Sequence, residues 1–286
     1  MKKKLLLMCC ILFLSIGIMV GCKNNNTQQK ETVKETDSIN ESNVSEESSK
    51  YKGKKFKVGI TADYEPWCYK EGEEIKGIDT DVLQEVAKRM GFDGVEFEIT
   101  SFDGLFGLLD AKKVDTVAKQ ISITPKRLEK YTFSDPYAYN PYKVLVHENN
   151  NDIHSINDLF GHSLVTKYNN SGYEYITKFK EENDPEDKIE VVITEEQIQG
   201  FVAAEKADAC FYSEPTYNFK QKQAKLPIKL VGEPLFTETN GFPFSKDADS
   251  ELIEDFNEKL NEMREDGTLA EIFNLYLGQD LSKDIK

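Results

Sequence analysis

Between Lys119 and Arg127 the chain gathers two lysines, a glutamine, two hydroxyl side chains and an arginine. Thr124 is a favoured N-cap and Pro125 suits a first helical position. Ser122-Ile123-Thr124-Pro125-Lys126-Arg127 therefore ends a strand and opens a helix. Arg127 then falls in the first turn, where the helix dipole disfavours a cation. An anion would compensate, and the guanidinium fork is well shaped for a carboxylate. A surface arginine paired with Glu129 or Asp135 explains the same residues, and the local sequence by itself favours that plainer reading. Phe133-Ser134-Asp135-Pro136-Tyr137 follows as a turn with aromatic ballast, which packing alone also explains.

The five cysteines supply neither metal-ligand spacing nor a disulfide framework. Cys9 and Cys10 lie in an N-terminal apolar run and Cys22 ends it. Only Cys68 and Cys210 belong to the body, where they suit buried small hydrophobes. No metal and no cofactor are expected.

A strand–helix alternation must position these groups, and it begins near Lys54. Phe56, Val58 and Ile60 are spaced by two, as in a half-buried strand. Val82, Leu83, Val86, Ala87 and Met90 trace a helical face that Gly91 ends. Val95, Phe97 and Ile99 form another strand, Leu105, Leu108 and Leu109 a short helix, and Asp115 to Ala118 a third strand. This order predicts a largely parallel sheet. After Tyr142 the alternation resumes, with strands at Lys143 to Val146, Ser163 to Thr166, Ile189 to Ile193 and Asp208 to Tyr212. Ser171-Gly172-Tyr173-Glu174 and Thr194-Glu195-Glu196-Gln197 read as capping boxes opening two helices. Two C-terminal helices are broken at Gly267, the second capped by Thr268-Leu269-Ala270-Glu271. Two α/β lobes follow, and clefts between such lobes are common small-molecule sites.

The first 50 residues stand apart. Lys2, Lys3 and Lys4 precede 16 almost entirely apolar residues, Leu5 to Val20. A transmembrane helix needs about 20, whereas the run suits a signal-peptide core. It stops at Met19-Val20-Gly21-Cys22, which resembles a bacterial lipobox, whose cysteine becomes the acylated first residue of the mature protein. An uncleaved anchor with an incidental cysteine is the alternative. From Lys23 to Lys50 only Val33, Ile39 and Val44 are apolar, too few to offset the entropy of ordering. Residues 1–21 are thus read as a lipoprotein signal peptide and 22–50 as a disordered tether. Loss of residues 1–21 takes the formal net charge from −15 to −18. With 51 acidic against 36 basic side chains, the chain is a poor fit to a phosphate backbone, and no nucleic-acid partner is expected.

Ile121 to Arg127, together with Phe133-Ser134-Asp135-Pro136-Tyr137, resembles the signature of the extracytoplasmic solute-binding proteins (family 3) of polar amino-acid ABC importers. Tyr64-Glu65-Pro66-Trp67, Gly77-Ile78-Asp79-Thr80-Asp81-Val82 and Gly267-Thr268-Leu269 carry the same resemblance, in order, over about Lys54 to Gly278. It implies a type II periplasmic-binding-protein fold, two α/β lobes joined by two crossover strands with a ligand cleft between them. Residues 51–142 plus 239–286 would form lobe 1 and 143–238 lobe 2. Arg127 would grip a ligand α-carboxylate, assisted by Ser122 and by Ser171 at the start of its helix. Tyr64 and Phe102 would sandwich the ligand side chain, or else serve as core aromatics, and Gln120 would lie beside the ammonium.

Two positions depart from the family pattern. Ser213 stands where an Asp normally meets the ammonium, and Glu214 either substitutes for it or is simply a first-turn acid. Lys119 replaces a small or amide residue, and would reach solvent, meet a second ligand anion or pair with Glu214. Lys119-Gln120-Ile121-Ser122, Leu226-Pro227-Ile228-Lys229-Leu230 and Gly241-Phe242-Pro243-Phe244 are most similar to the cystine/cysteine-binding subgroup. The resemblance implies a monomeric, lipid-anchored receptor on the extracytoplasmic face of the cell membrane. It would pass an amino acid, cystine or another polar one, to an ABC permease without transforming it. The alternative is an extracytoplasmic enzyme on the same scaffold, such as a cyclohexadienyl dehydratase, with Glu214 as general acid.

Overall fold

The computed structural model of the chain describes residues 50–168 and 170–284. The expected signal segment, the lipidation site Cys22 and the tether up to residue 49 lie outside the described residues. Residues ahead of Lys54, where the hydrophobic pattern places the start, already make contacts with the body. Lys50 pairs with Glu251 at 2.6 Å and Asp255 at 2.8 Å, and the Tyr51 hydroxyl donates to Asp255 at 2.7 Å.

Strand β1 (Phe56–Ile60) is followed by three short antiparallel strands, β2 (Asp63–Tyr64), β3 (Cys68–Glu71) and β4 (Glu74–Lys76). Helix α1 (Ile78–Met90), β5 (Val95–Ile99), α2 (Phe102–Asp110) and β6 (Thr116–Ala118) complete a parallel sheet in the order β5-β1-β6. Helix α3 (Pro125–Lys130) and β7 (Tyr131–Phe133) lead to the long β8 (Ala138–His147). Then come β9 (Ser163–Thr166), α4 (Ser171–Asn183), β10 (Glu190–Ile193), α5 (Ile198–Ala203), β11 (Ala209–Ser213) and α6 (Glu214–Gln223). Strand β12 (Ile228–Asn240) runs back along β8, β13 (Pro243–Ser245) pairs with β7, and α7 (Ser250–Glu265) and α8 (Thr268–Leu277) follow.

The first strand is buried on both sides, not half-buried. Phe56, Val58 and Ile60 sit among the apolar faces of α1, α7 and α8, while α2 covers the other side at Gly59. A Cβ at Gly59 would stand 3.0 Å from Val117 and 3.4 Å from Leu108, so the glycine is what lets α2 pack so near.

The second sheet has the order β10-β9-β11-β8-β12 and is mixed, because β8 and β12 pair antiparallel. Both of its faces are covered. Val144, Val146, Leu164 and Phe211 pack on one side, and Leu145, Val165 and Cys210 on the other. Two-sided burial explains why its strands read as continuous apolar runs. Fully burying each such side chain contributes about 1.5–3 kcal/mol. Strands β8 and β12 join the two cores: Ala138 packs with the first, Val144 and Val146 with the second.

Helix starts differ in detail from the sequence expectation. Asn170, not Ser171, caps α4, its side chain accepting from the Tyr173 N–H at 2.7 Å. Thr194 instead accepts from the Glu196 N–H at 3.1 Å, and α5 starts later, behind Gln197. Gly267 occupies the N-cap of α8, with Thr268 inside the helix. Thr124 and Pro125 stand at the N-cap and first position of α3, as the spacing implies. Among the described residues no helix is long and apolar enough to cross a membrane, and Cys68 and Cys210 are buried and free.

Candidate ligand-binding site

The end of β6 turns sharply at Gln120, whose φ of 48° is unusual for a residue with a side chain. Such a conformation costs on the order of 1–3 kcal/mol and persists only where its surroundings enforce it. Here they do. The Gln120 N–H donates to Asp79 at 2.6 Å, and its carbonyl accepts from Asn240 at 3.1 Å. Asp79, at the start of α1, is fully buried and also accepts from the Tyr137 hydroxyl. Gly77 sets that start, since a Cβ there would lie 2.3 Å from the Trp67 carbonyl oxygen. Burial pushes the Asp79 carboxyl up to about 7, against the hydrogen bonds from Tyr137 and Gln120.

Beyond this pinned corner, Ser122 and Arg127 meet a residue that the sequence did not single out, Glu238 of β12. The Ser122 hydroxyl donates to Glu238 Oε1, and the Ser171 hydroxyl, from the second sheet's α4, donates to the same oxygen at 2.7 Å. Tyr142 also hydrogen-bonds to Glu238. Arg127 donates from Nη1 to the Ser122 carbonyl at 2.9 Å, and its guanidinium carbon lies 5.8 Å from the Phe106 ring centroid. Burial draws the guanidinium pKa down, while Glu238 and Glu174 act in the opposite sense.

Arg127 forms no ion pair with Glu129 or Asp135; the Asp135 carboxylate accepts from Asn261 at 2.9 Å instead. The surface-arginine reading is thus corrected: the side chain folds inward along Ser122. Arg127 also stands midway along α3, which has only 6 residues, so little helix dipole acts on it.

Tyr64, Phe102 and Lys119 come together. The Lys119 ammonium lies 5.6 Å from the Tyr64 ring centroid and 5.8 Å from that of Phe102, and pairs with Asp63 at 3.0 Å. Only 20% of its side chain is exposed, so it does not simply extend into solvent. Phe102 is no core aromatic, being 39% exposed. The Tyr64 hydroxyl donates to Gln120 Oε1 at 3.2 Å.

On the β11 side, the Ser213 hydroxyl donates to Asn140 Oδ1 at 2.8 Å and accepts the Thr216 N–H at 3.2 Å as the N-cap of α6. Glu214 pairs with Lys143 at 3.0 Å, so the Lys119–Glu214 pair considered above is not formed. Three buried polar atoms near these corners, Gln120 Nε2, Asn140 Nδ2 and Asn240 Oδ1, have no hydrogen-bond partner among the described residues. Such groups are costly unless something else satisfies them.

Glu238 was legible in principle. Phe236, Glu238 and Asn240 alternate with the outward Thr237 and Thr239, which puts a carboxylate on the inward face of β12. The site thus combines a cation, hydroxyls and a carboxylate at the strands joining two α/β layers. Residues 56–279 match the bacterial extracellular solute-binding proteins, family 3. The chain belongs to this family.

Over 274 residues this solute-binding protein is 31% identical to the probable amino-acid-binding protein YxeM of Bacillus subtilis (strain 168), covering 95% of this chain and 94% of the relative. The L-cystine-binding protein TcyA of the same organism is also 31% identical, over 99% of this chain and 100% of its own. A solved Streptococcus mutans chain, from work on glutathione import via GshT and the cystine ABC importer TcyBC, matches with a TM-score of 0.71. It is 26% identical and covers 80% of this chain and 97% of that one. The architecture is the type II periplasmic-binding-protein fold, with two α/β lobes.

Proposed function

We propose that this solute-binding protein is the receptor of an ABC importer, capturing an amino acid, cystine or another polar one, and passing it unchanged to the permease. The observation that carries the reading is Arg127, a desolvated guanidinium without an ion pair among the described residues, converging with Ser122 and Ser171 from opposite lobes. The YxeM and TcyA relationships support the ligand class. Residues 51–142 plus 239–286 act as lobe 1 and 143–238 as lobe 2, closing about β8 and β12. A ligand that touches both lobes favours the closed arrangement by its differential affinity. Tyr64, Phe102, Lys119 and Gln120 line its side-chain end. An enzyme reading finds no added support, because Glu214 is already bound by the Lys143 ammonium.

A thermal-shift screen over the amino acids and cystine tests this, since ligand at 100 times its dissociation constant adds about 2.7 kcal/mol. Arg127→Ala should then weaken the best ligand by about tenfold to a hundredfold, or roughly 1.4–2.7 kcal/mol, with the fold intact. Equal calorimetric affinities for the two proteins would remove Arg127 from the site.

The protein works as a monomer held at the extracytoplasmic face by acylation of Cys22. That reading rests on the apolar run ending at Gly21-Cys22. Cys22→Ala should lose both metabolic lipid label and membrane retention; an unchanged label would show that the lipobox is not used.

A further inference from the structure

An amino acid enclosed between the lobes brings a carboxylate and an ammonium, and each needs a counter-charge once water is expelled. Arg127 serves the carboxylate. Five carboxylates lie near the corners described above: Glu174, in the first turn of α4, is partly exposed and acts on Arg127 without a hydrogen bond to it, and three others are committed elsewhere. Asp63 is bound to Lys119, Glu214 to Lys143, and Asp79 lies behind the Gln120 backbone, accepting from Tyr137 and from Gln120 itself. The fifth, Glu238, is only 8% exposed, accepts hydrogen bonds from Ser122, Ser171 and Tyr142, and forms no ion pair among the described residues.

We infer that Glu238 is the acceptor of the ligand's α-ammonium and so decides that this site takes zwitterions. The reading rests on the amino-acid function proposed above and deepens it. Donor and acceptor accounting carries it. A serine hydroxyl has one proton, and Ser122 and Ser171 both give theirs to Glu238 Oε1. What these hydroxyls have left to offer is lone pairs. With Glu238 they form a cradle of acceptors, which fits an ammonium and repels a carboxylate.

Ser122 and Ser171 thereby exchange the carboxylate-donor role that the sequence suggested for an ammonium-acceptor role. Ser122 also touches both charged groups. Its carbonyl accepts from Arg127 at 2.9 Å while its hydroxyl donates to Glu238, so one residue holds both the cation and the carboxylate. The backbone of Glu238 is pinned opposite Asn140 in the β8–β12 ladder, so the carboxylate cannot withdraw far. With a zwitterion bound, each buried charge meets its opposite.

The test is calorimetric titration of the full protein and of Glu238→Gln with L-cystine and with 3,3′-dithiodipropionate, the same skeleton without ammonium groups. L-Glutamine and its des-amino counterpart form a second pair. Wild type should favour the amino acid of each pair that binds by at least about tenfold, and Glu238→Gln should erase that preference, with an intact melting transition. The inference is overturned if wild type binds the des-amino compound as tightly as the amino acid, a result that does not depend on the variant folding. It is also overturned if Glu238→Gln binds the amino acid as tightly as wild type or tighter, the signature of a side chain that merely competes with the ligand carboxylate. Binding of none of the amino acids by wild type would instead sink the functional reading beneath it.

Discussion

The corner from β6 into α3 and the corner from β11 into α6 share a plan. In each, a strand ends, a hydroxyl side chain caps the following helix, and a proline stands in its first turn: Thr124 with Pro125, and Ser213 with Pro215. Each then presents one charged side chain, Arg127 or Glu214. At the second corner the capping hydroxyl and the charged side chain both find partners, although the amide nitrogen of Asn140 stays unmatched among the described residues. Ser213 is spent on Asn140 and the helix start, and Glu214 meets both Lys143 and the favourable end of its helix. At the first, Arg127 is desolvated yet among the described residues donates only to a neutral carbonyl, and Gln120 is held in a strained turn with its amide nitrogen unsatisfied there. One corner has its charge paired. The other leaves a desolvated guanidinium without an ion pair and an amide nitrogen unmatched among the described residues.

The difference extends to how the corners are held. The second depends on a local cap, the first on Asp79, a buried carboxyl 41 residues away from the Gln120 N–H it accepts. Burial pushes that carboxyl up to about 7, whereas an unfolded Asp titrates near about 3.9. Between about pH 4 and about pH 7 the folded protein therefore keeps a proton that the unfolded chain has released. Asp79 contributes its full stability below about pH 4 and loses it as pH rises through about 7, an effect on the order of 4 kcal/mol. Its neighbours stay neutral in that window: burial pushes the Cys68 thiol up to about 12 and holds Tyr137 and Tyr64 well above their ordinary range. Asp79→Asn keeps the shape, and the Tyr137 hydroxyl can turn to accept from it. Urea unfolding of both proteins from about pH 4 to about pH 8 should show the wild type losing stability relative to the variant as pH rises. A constant difference would mean that Asp79 is ionised throughout, and the first corner would then be no more pH-sensitive than the second.

Much of this was legible because it is local. Periodicity located the principal strands and helices, and Thr124-Pro125 marked the start of α3 correctly. The motif around Ser122 and Arg127 marked two of the residues that the fold brings to Glu238. What escaped was set by distance along the chain. Ser122 and Ser171 meet Glu238 across 116 and 67 residues, Lys119 meets Asp63 across 56, and Lys143 meets Glu214 across 71. No window of sequence reports such pairings. Ser171 also looked like a cap only because Asn170, an equally good one, stands beside it. The both-sided burial of β1 was hidden because Gly59 adds no apolar signal, although its smallness is what admits α2.

The smallest expected effect probes the corner whose charge is paired. The sequence allowed Glu214 to take over the ammonium from the missing acid at Ser213; the structure pairs it with Lys143, and the expectation is that it acts as a structural side chain. Both partners keep some contact with solvent, 19% and 30% of their side chains, so the pair contributes no more than about 1 kcal/mol. Glu214→Gln gives up that pair and the favourable helix-end charge, but it leaves Ser213, Asn140 and Glu238 untouched. Its melting temperature should fall by only about 2–4 °C, and its affinity for an amino acid should stay within about twofold of wild type, or roughly 0.4 kcal/mol. A double-mutant cycle with Lys143→Met should return a coupling below about 1 kcal/mol. Tenfold weaker amino-acid binding by Glu214→Gln in calorimetry would break the contrast, because the β11–α6 corner would then also read the ligand's ammonium.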